Sequence, residues 1–231
     1  MDGRSVPRLL ILETSDRVGE VALAEGPALL TVRTLDEGRR HARDLAPAVA
    51  ELLRARGWTA RDLDAVVVSR GPGSYTGLRV GIISAKVLAY ATGCRLLLID
   101  TFAALAAQAP EDIGHIDVLT DAQQERVYVQ SFARQDGAWR AATALAIRPF
   151  AEWLAARDAS AWVTGPGLRK WGTHLAGVTM VAADRREPHA ESLLRLGLTR
   201  YRAGEADDPW KAEPLYLRPS AAEQQWDARK A

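Results

Sequence analysis

The residues best equipped for chemistry run from Ser69 to Gly81, Ser-Arg-Gly-Pro-Gly-Ser-Tyr-Thr-Gly-Leu-Arg-Val-Gly, after an apolar run and at the start of a helical pattern. At such a junction, exposed backbone N–H groups and the helix dipole attract an anion. Gly71, Gly73 and Gly77 would let the backbone approach a ligand closely, Ser74 and Thr76 are capable caps, and Arg79 adds a fixed positive charge. With Thr14 and Ser15 they make a candidate phosphate loop. A capped strand-to-helix turn whose glycines serve geometry alone explains the same residues, because neither a Walker lysine nor Gly-x-Gly-x-x-Gly follows.

Two acids stand at the ends of apolar runs, Glu13 and Asp121. Brought together across a cleft, they could hold a metal or activate water; acids at strand ends are also ordinary turn formers. The four histidines (His41, His115, His174, His189) are scattered, with no HExxH and no i, i+4 pair, so no metal site is expected. Gly-x-Ser-x-Gly is absent. The single cysteine, Cys94, cannot form an intramolecular disulfide and reads as a small, mostly buried residue.

Composition narrows the field further. The 231 residues are 48% hydrophobic and 26% charged, which fits a globular chain of one large or two smaller domains. Thirty basic against twenty-nine acidic residues leave a net charge of +1, divided evenly along the chain, which excludes bulk electrostatic binding of RNA. No secretory signal is expected, and Val80–Ile99 is interrupted by Lys86, Gly93 and Arg95 and does not read as a membrane span, so a cytoplasmic location is expected.

The elements that must position these residues follow from periodicity. Strands are expected at Leu9–Glu13, Val18–Ala24 and Ala28–Arg33, then a helix carrying Leu45, Val49, Leu52 and Leu53 that stops at Gly57, with Pro47 near its beginning. A strand at Ala65–Ser69, the glycine loop, a helix at about Leu78–Ala91 and a strand at Leu96–Asp100 follow. The second half repeats the order: strands at Ile116–Thr120, Arg126–Ala133 and Trp139–Ile147, a helix at Phe150–Arg157, and a strand at Ala161–Thr164 running into Gly165-Pro166-Gly167. Two Gly-Pro-Gly loops at the same topological place argue for a duplicated β-β-β-α-β-α unit: mixed sheets flanked by helices, with a cleft between them. The helix after the first glycine loop is apolar on nearly every side: Leu78, Ile82, Ala85 and Ala89 on one, Val80, Ile83, Val87 and Leu88 over much of the rest. One sheet buries one face of a helix, so something else must cover the remainder. Small residues (Gly81, Ala85, Ala89) would permit close packing there.

Several segments resemble one known family. Leu9–Leu23 with its Glu-Thr-Ser, the stretch Arg40-His41-Ala42-Arg43-Asp44-Leu45-Ala46-Pro47, the block Gly71–Gly81, Ala85-Lys86-Val87-Leu88-Ala89 and Asp121–Tyr128 are similar to the TsaB family, with later landmarks at Gly165–Gly167 and Pro214–Arg218. The resemblance is dense from residue 8 to about 132. It implies an actin/Hsp70-like α/β fold of two RNase H-like domains of mixed sheet, an N-terminal one over residues 1–105 and a smaller, degenerate one over 106–231. It also implies a role as the dimerisation subunit of the bacterial machinery that makes N6-threonylcarbamoyladenosine at position 37 of tRNAs reading ANN codons.

In this family the partner is TsaD, the catalytic paralogue, whose His-x-x-x-His metal pair corresponds here to Thr101 and Leu105. A hydroxyl and a leucine cannot replace two imidazoles, so a non-catalytic subunit is implied. The resemblance places the TsaD contact on the two first-half helices, at His41, Leu45, Val49, Leu52, Leu78, Ile82, Ala85, Lys86 and Ala89. It also implies recruitment of the ATPase TsaE, a homodimer when the chain is alone, an indirect role for tRNA, and no cofactor beyond ATP or ADP at a shared interface. The competing expectation is an ATP-using phosphotransferase or hydrolase acting through its own cleft, with Glu13, Asp121 and Gly71–Thr76 as its site.

Overall fold

Leu9, Leu10, Ile11 and Leu12 are all fully buried. Alternate strand residues face opposite ways, so four in a row without exposure require a central strand covered on both faces. The structure, a computed structural model, describes residues 6–35 and 41–217. In it β1 (Arg8–Glu13) lies in the middle of a five-stranded sheet. β2 (Gly19–Glu25) and β3 (Ala28–Leu35) continue from it antiparallel, while β4 (Ala65–Gly71) and β5 (Arg95–Asp100) run parallel on its other side, giving the order β3-β2-β1-β4-β5. This is the mixed, RNase H-like order expected.

Two helices cover the face that carries Leu10 and Leu12. In α1 (His41–Ala55), Leu45, Ala48, Val49 and Leu53 lie at helical spacing and pack on that face. The helix begins at His41, so Pro47 sits inside it rather than at its start. α2 (Tyr75–Thr92) begins three residues before the expected Leu78 because Ser74 caps it, its hydroxyl accepting a hydrogen bond from the Gly77 N–H at 3.2 Å. It ends at Gly93, whose φ of 76° is a left-handed conformation that glycine adopts without strain. The short α3 (Thr101–Ala106) leads out of the sheet.

The second sheet repeats the scheme. β6 (His115–Asp121) pairs antiparallel with β7 (Arg126–Gln135) and parallel with β10 (Trp162–Thr164). The single strand expected over Trp139–Ile147 is instead two, β8 (Ala138–Ala141) and β9 (Ala146–Pro149), pairing with opposite ends of β7. Between them the Ala142 and Thr143 N–H groups both donate to the Ser131 carbonyl, which bends the chain out of register. α4 (Phe150–Ala156) and the single turn α5 (Leu168–Trp171) cover one face, where Phe150 stacks on Trp171 at 4.1 Å.

A boundary at residue 105 does not divide the chain into two packing units. α6 (Ala190–Arg202) returns to the first sheet and seals its Leu9/Ile11 face with Leu193, Leu194 and Leu198. Gly197 allows the approach, since a Cβ there would come within 3.0 Å of the Val67 side chain. The chain then follows the first sheet onward: the Asp207 N–H donates to the Leu96 carbonyl, the Asp207 carboxylate accepts from the Leu98 N–H at 2.7 Å, and the Leu215 N–H donates to the Arg70 carbonyl. Residues 190–217 therefore belong with the first sheet rather than the second.

Candidate functional site

The glycine loop is closed by the chain's own backbone. Thr14 and Ser15, in the turn after β1, are buried, and the Ser15 carbonyl accepts the Ser74 N–H at 2.6 Å. Gly73, Gly77 and Gly81 lie against this turn: a Cβ on Gly73 would overlap the Ser15 carbonyl oxygen, one on Gly77 the Thr14 carbonyl oxygen, and one on Gly81 the Thr14 hydroxyl, each closer than 3.0 Å. Gly71, with φ at 111°, packs against Leu78 and Leu215, and its N–H donates to the Thr101 hydroxyl at 3.2 Å. The glycines thus form a notch in α2 that the Thr14–Ser15 turn fills, which favours the capped-turn explanation of the motif over a cradle for phosphate. The remaining members of the candidate loop are committed elsewhere or lie outside the notch. Ser74 is the helix cap, Thr76 is exposed, and the Arg79 guanidinium lies 4.3 Å over the Tyr75 ring and donates to the Tyr216 hydroxyl at 3.0 Å.

Glu13 and Asp121 occupy different environments. Burial pushes the Glu13 carboxyl up to about 7, against the Ser15 N–H and hydroxyl that both donate to its Oε1 at 2.5 Å. Its Oε2 has no hydrogen-bond partner among the described residues. Asp121 is exposed and pairs with Lys170 at 3.4 Å. By strand alternation Glu13 shares the face of Leu9 and Ile11, which α6 covers, while Asp121 shares the face of Leu119, which α4 and α5 cover. The two acids are therefore not equivalent members of the repeat. Among the described residues, no three His, Cys, Asp or Glu side chains converge as a metal site.

Where a cleft was expected between the two sheets, charges join them. The Arg169 guanidinium on α5 donates to both carboxylate oxygens of Asp16, at 2.5 and 2.8 Å, and also pairs with Glu187. On the first sheet's own side of this join, Glu20 on β2 accepts from the Ala190 N–H at the start of α6 at 2.7 Å and contacts the His189 Nδ1 at 3.0 Å. The hydrogen bond to Glu20 outweighs burial and holds the His189 imidazole up at about 9, so it is a cation at neutral pH. Burial raises Glu20, but the bonds from His189 and Ala190 outweigh it and leave the carboxyl below its usual range.

The expected partner surface requires correction. Leu45, Val49, Leu78, Ile82, Ala85 and Ala89 are buried in the chain's own core against the first sheet, so they cannot meet another protein. Leu52 packs half-buried on the same cluster, and the Lys86 ammonium donates to the Ala212 carbonyl at 3.1 Å. The His41 side chain, with Arg40 and Arg218 of the family resemblance, lies outside the described residues. The apolar residues left uncovered are on the opposite side of α2: Ile83, Val87 and Tyr90 are 58, 60 and 72% exposed, with Val80 half-buried beside them. Tyr90 meets the exposed Trp210 edge-on at 5.4 Å. Ala42, Tyr75, Arg79, Val80 and Ile83 bound a surface hollow of about 390 Å³ at one end of this strip. The signal that could have oriented the helix was the Gly77/Gly81/Ala85 ridge, since a face of small residues is the one that lies closest to its neighbours.

Residues 36–166 match the family model described as TsaD, tRNA N6-adenosine threonylcarbamoyltransferase. The tRNA threonylcarbamoyladenosine biosynthesis protein TsaB of Escherichia coli is 28% identical over 223 residues, covering 93% of this chain and 96% of that protein. The chain belongs to the TsaB family. Two solved Pseudomonas aeruginosa chains share its structure. One, described as an uncharacterized protein with similarity to peptidase YEAZ, has a TM-score of 0.79 and 30% identity, with 92% of this chain and all of that one covered. The other, described as YeaZ, has a TM-score of 0.77 and 29% identity, with 91% and 100% covered. Within the TsaB-family chain, the two positions that resemblance aligns with a metal pair have structural duties: Thr101 accepts the Gly71 N–H, and Leu105 is fully buried in the core of the second sheet. No helix among the described residues is long and apolar enough to cross a membrane.

Proposed function

We propose that this chain is a non-catalytic subunit in the formation of N6-threonylcarbamoyladenosine on tRNA, and that it acts by holding a TsaD-type threonylcarbamoyltransferase through the outer face of α2. The observation that carries the proposal is the uncovered strip Ile83–Val87–Tyr90, at i, i+4, i+7, on a helix whose other face is fully used by its own sheet. An exposed apolar strip of this kind marks an interaction surface. The filled glycine notch supports the non-catalytic half of the reading, because packing on the Thr14–Ser15 turn accounts for Gly73, Gly77 and Gly81 without a ligand.

In the absence of TsaD the same strip joins two copies of this chain, and in the complex TsaE is the recruited ATPase. Any ATP or ADP sits at the shared interface, and tRNA is reached through the partner rather than by this subunit. The test is reconstitution. The chain and its cognate TsaD, mixed at micromolar concentration, are expected to elute as one complex, and modification of tRNA is expected to need both. Arginine at Ile83 or Val87, positions where charge meets water in the free chain, should abolish both outcomes without lowering the thermal midpoint. Retention of the complex by both variants would place the contact elsewhere.

A further inference from the structure

The second sheet carries a cavity of about 340 Å³ that the proposal above does not use. Its size falls within the range of small-molecule sites. It lies between β7, α4 and the turn at 157–161, and its apolar wall comes from Phe132, Trp153, Ala142, Ala156 and Ala161.

Three charges in its lining, Asp117, Arg148 and Arg157, have no counter-charge among the described residues. Asp117 is 3% exposed and is fixed from two sides: its Oδ1 accepts the Ser131 hydroxyl at 2.6 Å, and its Oδ2 accepts the Trp153 indole N–H at 3.0 Å. No Lys, Arg or His among the described residues pairs with it. A carboxylate offers about four acceptor sites, so these two bonds orient the group without neutralising it. A buried charge is costly unless it is paired, and beyond Ser131 the sheet face it shares carries the apolar Leu119, Val127, Val129 and Val163. Arg148 is the second: it is exposed on the lining and its guanidinium makes no ion pair or hydrogen bond among the described residues. Arg157 is the third, but its guanidinium is committed to the Ala161 carbonyl and lies 6.0 Å over the Trp153 ring; the remaining charged lining groups, His115 and Asp158, meet each other at 3.5 Å.

A held, unneutralised carboxylate inside and an unpaired guanidinium at the mouth, with small apolar side chains beside them, match one ligand chemistry. We infer that this cavity binds a free aliphatic α-amino acid, its ammonium on Asp117, its carboxylate on Arg148, and its side chain against the alanines. An ammonium supplies the charge that Asp117 lacks, and a carboxylate suits the planar donor fork of arginine.

Calorimetry on the full chain with L-alanine, L-valine and L-leucine tests the inference, with N-acetyl-L-valine and L-valinamide as probes lacking one charge each. At least one amino acid should give saturable binding, and both derivatives should bind more than about tenfold more weakly, as expected for loss of a charge-assisted contact. Arg148→Ala, at an exposed position, should weaken binding by a similar factor without altering the fold. Asp117→Asn should do the same, because its amide can still meet Trp153 through oxygen and Ser131 through nitrogen. If Asp117→Asn fails to fold, Arg148→Ala and the two derivatives still decide. No binding of any of the three amino acids at about 10 mM, or equal binding of the derivatives, or binding indifferent to Arg148→Ala would overturn the inference.

Discussion

The two sheets share one plan and seal their helix-covered faces by different means. On the first, the cross-strand pair Leu10 and Leu23 is apolar, and two long helices lie over it, α2 drawn in by its glycine notch. On the second, the pair Asp117 and Ser131 is polar, the helices above are two turns and one, and aromatic rings (Phe150, Trp153, Trp171) supply the missing bulk. The difference teaches where function can sit. The sheet sealed by long, close-packed helices keeps Leu10, Leu12 and Leu23 fully buried, and apolar surface lies outside on Ile83, Val87 and Tyr90. A sheet covered by short helices keeps a polar core position and a cavity.

The comparison breaks most visibly at the notch. Gly77→Ala would drive a methyl group into the Thr14 carbonyl, backbone that cannot yield, and should cost roughly 3 kcal/mol, read as a lower urea midpoint. Next in size is the join between the sheets. Arg169→Ala removes both charge-assisted bonds that the nearly buried Asp16 accepts from α5; with Arg169 itself one-third exposed to screening solvent, the loss should be about 2 kcal/mol, with faster hydrogen exchange in α5 and the Ser15–Arg17 turn.

Glu13 gives a smaller effect of opposite sign. Its carboxyl titrates at about 7 when folded and at 4.5 when unfolded, so between those values the folded chain holds the proton more tightly. Stability must then fall as pH rises from 4.5 to 7 and level off above. Glu13→Gln, which mimics the neutral acid, should remove that decline and gain on the order of 1–2 kcal/mol at pH 8. The smallest change is expected at Gly172, where a Cβ meets nothing within 4 Å and the backbone is helical. Gly172→Ala should be neutral or stabilising by less than about 1 kcal/mol, in contrast to Gly77→Ala.

Much of this architecture was legible in the sequence, for a local reason. Leu9–Leu12 and Ala65–Val68 are uninterrupted apolar runs bounded by polar turns, and such runs become central strands wherever they occur. The second Gly-Pro-Gly correctly marked a repeated unit: Gly165 and Gly167 press on Leu119 and Thr120 much as Gly73 and Gly77 press on Ser15 and Thr14. What was not legible depends on distant parts of the chain. Nothing near residues 190–202 announces that they cover β1, because the partner face was fixed 180 residues earlier. The sequence does not distinguish the inner face of α2 from the outer, because Leu78 and Ile83 have the same character; only the packing of Gly77 and Gly81 on the turn after β1 tells which lies inside. Asp117 was hidden by its setting, one acid in an otherwise apolar run.

The central claim is that the uncovered side of α2 holds the partner. Sedimentation velocity of Val87→Arg with cognate TsaD tests it most directly, because arginine at a position 60% exposed should leave the free chain as stable as before. The account predicts a normally folded subunit that sediments apart from TsaD, while the unaltered chain sediments with it. Undiminished co-sedimentation of the variant would contradict it.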